Sequence, residues 1–496
     1  MHNYYLGIDI GTTNTKALLM DATGAVVRTA SREYALSAPR NGWAEQDPQL
    51  WLDAAYASIR EVLQGVDAES VKCVGLTGQM HGLVALDGAD NVLRPAILWC
   101  DQRTASECAE ITERVGASRL IELTANPALT GFTAPKILWM RHNEPELYAK
   151  IAKIMLPKDY VRYALTGDHA SDLSDASGTG LLNVARRDWE PEVLQKLDIP
   201  REWLAKLYES PEITGAITAS AAERTGLIAG TPVVAGAGDN AAAAIGTGVA
   251  SDGAAFVTIG SSGVVFAHTS AMRLDPHGRV HTFCAAVPHE WHVMGVTLAA
   301  GLSLKWFRDN FAPQTDYTTL DTLAESVPVG ANRLIYAPYL NGERTPHLDP
   351  AARGAFVGLS SSHGVPELAR AVMEGVTYSL RDCYAVIEGM GARFDVITAC
   401  GGGSVSAFWR AMLCDALGVS VDTAQTSEGP ALGAAMLAAV GAGEYATVAD
   451  ACDAIIKKNA AIEPNAAAHD AYSRVYEVYK TVYTANRGIF AALETL

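Results

Sequence analysis

A strand–turn–strand unit that occurs twice, half a chain apart, constrains this sequence most. Apolar side chains alternate with others over residues 6–10, the period of a β-strand, before the turn GTTNT and a second apolar run. Residues 256–266 repeat the design as FVTI, GSSG and VVF. The first turn glycines, Gly11 and Gly260, lie 249 positions apart in a chain of 496 residues. This spacing predicts two domains of similar design that face each other, although two unrelated hairpins would give the same local pattern.

The remaining elements indicate the α/β class. Short apolar runs at 71–76, 83–86, 232–235 and 394–399 are typical of strands. Helical patterns lie between them, and one begins at Asp47-Pro48 with an N-cap and a proline in the first turn. Near the end of the chain, apolar and aromatic residues recur at the spacing of a long amphipathic helix, namely Tyr472, Val475, Tyr476, Tyr479, Val482 and Tyr483. Strands alternate with helices throughout, so we predict an α/β fold.

Charge and cysteine content exclude several classes of protein. The chain has 38 basic and 55 acidic residues, and its net charge of −17 repels nucleic acid and anionic membranes. Eight cysteines lie far apart without a CxxC pair, which favours reduced thiols over a disulfide framework or a zinc site. The N-terminal MHNYYLGIDIG is unlike a signal peptide. We therefore expect a cytoplasmic protein that binds small molecules, without nucleic acid or membrane partners; a homodimer is compatible with the sequence.

Glycine-rich turns are the candidate phosphate-binding devices. The chain contains no G-x4-G-K-[ST] loop, so phosphate binding requires another arrangement. In the turns at Gly11 and Gly260, glycine lets the backbone approach a phosphate, and the following hydroxyls add donors. Either turn alone is also typical of an ordinary structural turn. A third turn, Gly401–Gly403, joins a predicted strand to a predicted helix, which fits a tight connection as well as a nucleotide contact.

Two aspartates follow apolar strands where α/β proteins bind ligands. Asp9 comes just before the first turn, and beside phosphates its carboxylate would lie near Mg²⁺ held partly through water; a bond to the turn backbone is the structural alternative. Asp239 stands where a strand enters a helix, which suits a general base and equally an ordinary N-cap. A helix N-terminus favours the ionised form in both cases.

Two polar segments end apolar runs and offer walls for a small polyol. Gln79-Met80-His81 supplies an amide, a thioether and an imidazole, and Trp99 to Arg103 supplies an indole and the Asp101 carboxylate. A lone histidine is more often structural, and WCDQR also fits a surface loop with an internal ion pair. The candidate substrate-binding residues are Gln79, Met80, His81, Trp99, Asp101, Asp239 and Asn240.

A series of motifs resembles the FGGY carbohydrate kinases. In chain order these are LGIDIGTTNTK, EQDP, TGQMHG, WCDQR, GFTAPK, LPKDY, AGAGDNAAAAIG, IGSSG, YLNGERTPH, EGVTYSL, GGGS and EGPALGAA. The resemblance extends from about Tyr5 to about Gly443 and is closest to family members that phosphorylate D-xylulose. The similar glycerol kinases carry an Arg-Glu pair where this chain has Met80-His81, which argues against glycerol.

The resemblance implies two actin/hexokinase-like (ribonuclease H-like) domains flanking a deep cleft, with residues 1–247 binding sugar and residues 248–496 binding ATP. It places the catalytic base at Asp239, an activity-critical aspartate on the magnesium side at Asp9, and the sugar-binding pair at Met80 and His81. Mg²⁺ would be held by Asp9 and Asp239, mostly through water. The implied ATP- and phosphate-binding residues are Gly11, Thr12, Thr13, Lys16, Gly260, Ser261, Ser262, Gly402, Gly403 and Ser406. Ser261 stands where the family pattern has threonine, so the hydroxyl is kept.

Other functions remain compatible with these motifs. The nearest is a kinase of the same family that acts on ribulose, L-xylulose or gluconate. An actin-like ATP-binding protein and a sugar sensor without turnover belong to other classes. The presence of both Asp9 and Asp239 argues against the sensor, because binding alone needs no general base.

Overall fold

Two mixed β-sheets, one in each half of the chain, organise the protein in the computed structural model, which describes residues 3–426 and 428–494. The strands of the N-terminal half are β1 (Tyr4–Ile10), β2 (Asn14–Asp21), β3 (Val26–Glu33), β4 (Glu45–Gln46), β5 (Val71–Gly78), β6 (Val84–Leu86), β7 (Ala96–Ile97), β8 (Lys153–Met155), β9 (Ala170–Asp172), β10 (Leu182–Asn183), β11 (Asp188–Trp189), β12 (Lys206–Tyr208), β13 (Ile213–Ala216), β14 (Pro232–Val234) and β15 (Ala237–Gly238). The helices of this half are α1 (Pro48–Val62), α2 (Ala105–Val115), α3 (Ala117–Thr124), α4 (Thr133–Asn143), α5 (Pro145–Tyr148), α6 (Pro157–Thr166), α7 (Leu173–Ala176), α8 (Pro191–Leu197), α9 (Ala219–Thr225) and α10 (Asp239–Gly246).

The C-terminal half continues with fewer strands and longer helices. Its strands are β16 (Gly253–Ile259), β17 (Gly263–Thr269), β18 (His281–Cys284), β19 (Trp291–Thr297), β20 (Ile335–Ala337), β21 (Ala355–Val357), β22 (Phe394–Cys400) and β23 (Val421–Asp422). Its helices are α11 (Gly301–Phe311), α12 (Tyr317–Glu325), α13 (Val365–Gly389), α14 (Ala407–Leu417), α15 (Gly429–Gly441), α16 (Val448–Ile455) and α17 (Ala466–Leu493).

The two sheets share one topology. In the first, the order is β13-β14-β5-β1-β2-β3, with β15 also paired to β5; in the second it is β18-β19-β17-β16-β22-β23. Each sheet begins with an antiparallel hairpin, β1–β2 or β16–β17, and a later strand joins the first hairpin strand in parallel, β5 or β22. This duplicated meander with parallel additions is the ribonuclease H-like arrangement, and it confirms the predicted α/β class with two similar sheets.

The closing helix has the predicted buried face. α17 buries Tyr472, Tyr476, Tyr479 and Val482 against the C-terminal half, as their helical spacing indicates. All eight cysteines are free thiols, in keeping with the expected absence of disulfides. Within the described part of the chain, no helix is both long and apolar enough to cross a bilayer.

Helix α15 connects the two halves, because it follows the second sheet in sequence but packs on the first. Glycines on β1 and β5 permit a very close approach. A Cβ atom at Gly7 would lie 2.0 Å from the Ala431 carbonyl oxygen, and one at Gly75 would lie 2.0 Å from that of Ala434. α15 also packs against α10, the helix that follows the first sheet. The helices α10 and α15 therefore pack against each other, and α15 crosses the middle of β1 and β5.

We expect Gly75→Ala to lower the free energy of unfolding by about 3 kcal/mol, because backbone atoms of two packed elements would have to separate. The change should appear as a lower midpoint of urea denaturation followed by circular dichroism. Gly88→Ala is the matched control, since its added Cβ meets no atom within 4 Å; we expect a change of at most about 0.5 kcal/mol there. Equal midpoints for the two variants would contradict the close packing of α15.

Candidate active site

The candidate residues of the N-terminal half meet at one edge of the first sheet. In the parallel register of β1, β5 and β15, Ile10 pairs with Gly78 and Gly78 pairs with Gly238. The carboxyl ends of the three strands therefore lie side by side. Asp9, Gln79 and Asp239 stand at these ends, although 230 positions separate the first from the last. This is the edge where α/β proteins bind ligands.

Two half-buried carboxylates share this edge. Burial raises the pKa of Asp239 to about 6, and bonds to its Oδ1 from the Asn240 backbone and side-chain nitrogens, at 2.7 and 3.0 Å, act in the opposite direction. Burial, together with the nearby Asp239 charge, raises the pKa of Asp9 to about 7, although Lys16 acts in the opposite direction. Burial thus disfavours the anionic form of each group as long as no ligand is bound.

Lys16 takes part in a contact between the two halves. It pairs with Asp9 across the β1–β2 hairpin, and its Nζ lies 2.8 Å from an oxygen of Glu428, the residue that precedes α15. The amine is therefore neither freely solvated nor committed to Asp9 alone. It remains about one-third exposed, which leaves it accessible to an anion at the sheet edge.

The His81 ring is neutral, and only one of its two nitrogens is engaged in a hydrogen bond. Its Nδ1 lies 2.8 Å from the Gly178 carbonyl oxygen and must donate there, so Nε2 is left as an acceptor. Burial, helped by the charge of Lys136, lowers the pKa of His81 to about 3. The ring stacks on Phe132 with centroids 4.8 Å apart. His81 is therefore a fixed hydrogen-bond acceptor over a wide pH range.

Met80 forms a wall directly against the residue before the candidate base. It is 4% exposed, and a Cβ atom at Gly238 would lie about 3.0 Å from its Cγ and Sδ atoms. Any larger residue than glycine at position 238 would displace the thioether. The structure thus packs Met80, next to His81 in sequence, against the residue that precedes Asp239.

Gln79 and Trp99 support the first turn. The Thr12 hydroxyl donates to Gln79 Oε1 at 3.1 Å and accepts from Trp99 Nε1 at 3.0 Å, and Gln79 Nε2 donates to the Gly11 carbonyl at 3.3 Å. Gln79 is 1% exposed. Its side chain therefore braces the turn, whereas Trp99 presents an exposed ring beside it.

The second and third turns lie together at the matching edge of the second sheet. The Gly260 carbonyl accepts from Gly301 N at 2.7 Å, which places the turn at the start of α11. A Cβ atom at Gly403 would lie 2.4 Å from the Ile259 side chain, so the Gly401–Gly403 loop runs directly past the end of β16. Ser261 is exposed, and Gly402 has open space around it. The arrangement leaves donors of both loops available to one ligand.

Comparison with known proteins agrees with this geometry. The FGGY family of carbohydrate kinases matches with its N-terminal domain model over residues 4–246 and with its C-terminal domain model over residues 255–442. The chain belongs to the FGGY family of carbohydrate kinases. The resemblance drawn from the motifs is therefore confirmed.

Individual FGGY relatives cover nearly the whole chain. A xylulose kinase of Escherichia coli is 41% identical over 480 residues, which are 97% of this chain and 98% of that protein. The structure of a xylulose kinase from Rhodospirillum rubrum is similar with a TM-score of 0.93 at 31% identity, covering 99% of this chain and 100% of the other. A gluconate kinase structure from Lactobacillus acidophilus has a TM-score of 0.95 at 27% identity with the same coverage.

Besides Gln79, which braces the first turn, two more of the expected site residues of this FGGY chain are engaged in structural contacts. Asp101 is fully buried, and its oxygens accept from the Arg103 guanidinium at 2.9 and 2.7 Å and from Ala44 N at 2.6 Å. The internal ion pair weighed for WCDQR is thus present, in a buried setting. Ser406 caps α14 by accepting from Trp409 N at 3.0 Å. The Asp101 carboxylate is therefore committed to the fold, whereas the Ser406 hydroxyl can keep its bond to Trp409 N and still contact a ligand.

Two buried lysines near the candidate site were not assigned from the sequence. Lys136 Nζ donates to the carbonyls of His81 and Gly131, at 2.9 and 2.6 Å, and so holds the segment at His81 in place. Lys158 lies in a buried carboxylate cluster beside β15. Both lysines belong to recognised motifs, GFTAPK and LPKDY, but a motif reveals no partner. Lysines are rarely fully buried unless they are paired. This rule was the only indication from the sequence that a lysine in a buried segment has a partner.

Proposed function

We propose that this FGGY kinase transfers the γ-phosphoryl group of ATP to the terminal C5 hydroxyl of D-xylulose. The observation that carries the proposal is the position of Asp239, a half-buried carboxylate with a pKa near 6 at the N-terminus of α10, where Met80 packs against the preceding Gly238. The substrate is inferred from the xylulose kinases of Escherichia coli and Rhodospirillum rubrum, which match over nearly the full chain.

In this proposal Asp239 is the general base. Its carboxylate accepts the proton of the C5 hydroxyl as that oxygen approaches phosphorus in line with the leaving ADP oxygen. The first N–H groups of α10 favour the ionised carboxylate, which offsets part of the effect of burial. The pKa near 6 suits the task, because the group is ionised at neutral pH yet is a stronger base than an ordinary aspartate.

His81 and Met80 orient the sugar. His81 Nε2 accepts a hydrogen bond from a hydroxyl of the sugar chain, since Nδ1 is already committed to Gly178. Met80 gives the carbon backbone of the sugar an apolar wall next to Asp239. Asn240 has its amide directed to Asp239 and sets the direction of the carboxylate instead of contacting sugar.

The nucleotide is held by turns from both halves. We propose that residues 1–247 bind sugar and residues 248–496 bind ATP, with the Thr12-Thr13 and Ser261-Ser262 turns contacting the phosphates. Gly402 and Gly403 leave room for the adenosine beside β16. Because the transition state is loose, positioning and charge neutralisation supply most of the rate enhancement. Closure of the two halves would exclude water as a competing nucleophile.

The residues at the sheet edge fit a magnesium ion held mainly by water and phosphate oxygens. Asp9 offers a half-buried carboxylate whose raised pKa would fall beside a cation, and Asp239 stands next to it. Groups of three or more potential ligand side chains are absent from the described residues, as expected for Mg²⁺, which seldom uses an all-protein cage. When bound, the ion would neutralise charge on the transferring phosphoryl group.

One observation favours a sugar acid as a second candidate substrate. Arg344 is half-buried near His81, since its charge contributes to the lowered pKa of that ring. Within the described ranges it forms no ion pair, because the adjacent Glu343 uses its oxygens on Thr297, Leu298 N and Arg344 N. A free guanidinium beside the sugar site would suit a carboxylate, and a gluconate kinase is among the similar structures.

The proposal is tested by coupled ADP release with a panel of sugars. We expect D-xylulose to give the highest kcat/KM, at least about tenfold above D-ribulose, L-xylulose, gluconate and glycerol, the range that one or two hydrogen bonds provide. A higher kcat/KM for gluconate would identify the sugar acid, the second candidate, as the substrate. ADP release with none of the sugars would refute the proposed kinase activity.

We expect kcat/KM for the sugar to fall about tenfold for each pH unit below about 6. Only the ionised carboxylate accepts the proton. Because its pKa is raised, activity is lost at a higher pH than it would be with an ordinary aspartate. His81 does not contribute, because its pKa of about 3 keeps it neutral throughout. Initial rates between pH 5 and 8 at saturating ATP measure the profile, and a flat profile from pH 5 to 7 would contradict the role of Asp239.

A further inference from the structure

A buried cluster of charged side chains lies behind the strand that leads to Asp239. Lys158 Nζ is 2.6 Å from Asp159, 2.8 Å from Asp172 and 3.5 Å from Asp175. All four side chains are at most 2% exposed. Burying four ionisable groups together is costly, so the arrangement needs compensation in structure or function. The Asp239 charge also contributes to the raised pKa of Asp175, which places the cluster close to the proposed base.

Ser174 links this cluster to the residue before Asp239. Its hydroxyl bonds to Asp172 Oδ2, and the Gly238 backbone N–H donates to the same hydroxyl oxygen at 3.1 Å. A serine has one hydroxyl proton, and because the carboxylate can only accept, that proton faces Asp172. The lone pairs of Ser174 Oγ are therefore directed to Gly238.

A second serine makes a parallel but weaker link. Ser210 Oγ donates to the same Asp172 oxygen at 3.4 Å, and its carbonyl accepts from Gly236 N at 3.0 Å. Two amides of the segment 236–238 are thus held by serines that share one carboxylate. Lys158 balances the Asp172 charge from the other oxygen.

This support matters because α10 has no side-chain N-cap of its own. Asp239 is the first helical residue, and the preceding strand β15 is only Ala237–Gly238. Gly236 takes a left-handed conformation, with φ of 80°, and passes within contact of Leu76 on β5. A short strand after such a bend has few ladder bonds to fix the direction in which Asp239 leaves it.

We propose that Ser174, oriented by Asp172 and Lys158, is a positioning residue that fixes the Gly238 amide and thereby the direction of the Asp239 carboxylate. The inference rests on the proposed role of Asp239 as the base. Ser174 contacts neither sugar nor nucleotide in this account. Its contribution is to hold the base in the orientation for in-line attack, where a displacement of about 1 Å costs up to about 10²-fold in rate.

The test is Ser174→Ala, with two readouts. We expect kcat with the best sugar to fall about tenfold while the KM for ATP changes less than about twofold, because the nucleotide turns are untouched. We also expect faster amide hydrogen exchange, measured by mass spectrometry, in peptides that cover residues 235–242. Ser174→Cys replaces the alanine variant if that variant does not fold. Cysteine fills the site but is a poor hydrogen-bond acceptor, so both readouts should shift in the same direction.

Ser171→Ala is the matched control within the same region. Its hydroxyl bonds to Asp159 at 2.5 Å but has no link to Gly238, and the residue is 4% exposed. We expect unchanged kcat and unchanged exchange over residues 235–242. Wild-type kcat and exchange in folded Ser174→Ala or Ser174→Cys would overturn the inference, as would an equal loss of kcat in Ser171→Ala. If the wild-type protein releases no ADP with any sugar, the proposed function fails instead, and the exchange comparison still decides whether Ser174 holds this segment.

Discussion

Replacing Asp239 by Asn is expected to lower kcat by roughly 10²–10⁴-fold. Asparagine keeps the size and the hydrogen-bonding reach of the side chain but cannot accept the hydroxyl proton. The bonds from the Asn240 nitrogens, at 2.7 and 3.0 Å, go to an oxygen that the amide retains, so the start of α10 should be preserved. Steady-state rates of ADP release at saturating sugar and ATP measure the effect.

The fold of Asp239→Asn is checked by circular dichroism and by ATP affinity, both of which should match the wild-type protein. The part of the low-pH loss that is due to Asp239 should also disappear from whatever activity remains, whereas a part due to Asp9, whose pKa is raised to about 7, should persist. Turnover within about threefold of wild type would remove Asp239 from the role of base, given the magnitude that general base catalysis normally supplies.

Replacing His81 by Ala is expected to raise the sugar KM about 10- to 100-fold, with the ATP KM unchanged within about twofold. The variant loses the Nε2 acceptor and the ring that stacks on Phe132. A sugar hydroxyl left without its partner in a partly buried site accounts for a change of this size. Initial-rate measurements with each substrate varied in turn separate the two KM values.

Backbone strain is the alternative cause that the control must address. His81 has a positive φ of 69°, a conformation that asparagine tolerates better than alanine. His81→Asn therefore removes the ring with little added strain, and we expect it to raise the sugar KM as well. A normal sugar KM in His81→Asn would assign the alanine effect to the backbone and not to the imidazole.

Local sequence pattern was sufficient for the repeated hairpins and the closing helix. Gly11 and Gly260 mark turns between strands with clear alternation, and the buried tyrosines of α17 follow helical spacing. Such signals depend on neighbours in sequence. The position of α15 does not depend on sequence neighbours. Gly7 and Gly75 contact carbonyls of this helix, which lies more than 350 positions later in the chain. No periodicity within residues 429–441 predicts which sheet that helix covers.

In the candidate site, too, local pattern indicated some residues, whereas others depend on partners far away in the sequence. Asp9, Met80, His81 and Asp239 were indicated by polar groups at the ends of apolar runs, and the parallel register of β1, β5 and β15 brings them together. Asp101 has the same local pattern, yet its carboxylate is used by Arg103 and Ala44 N. Ser174 had no distinguishing signal, because its importance lies in a bond to Gly238 across 64 positions. Long-range partners decide whether a polar residue serves a ligand or the fold.

In the proposed mechanism Asp239 lies within reach of the sugar hydroxyl while turns from both halves hold the phosphates. A crystal structure of the protein with D-xylulose and a non-hydrolysable ATP analogue measures this directly. We expect an Asp239 oxygen within about 2.6–3.2 Å of the C5 hydroxyl, with Thr12 and Ser261 both contacting phosphate oxygens. A sugar bound with its terminal hydroxyl away from Asp239, or an ATP analogue held by one half alone, would contradict the account.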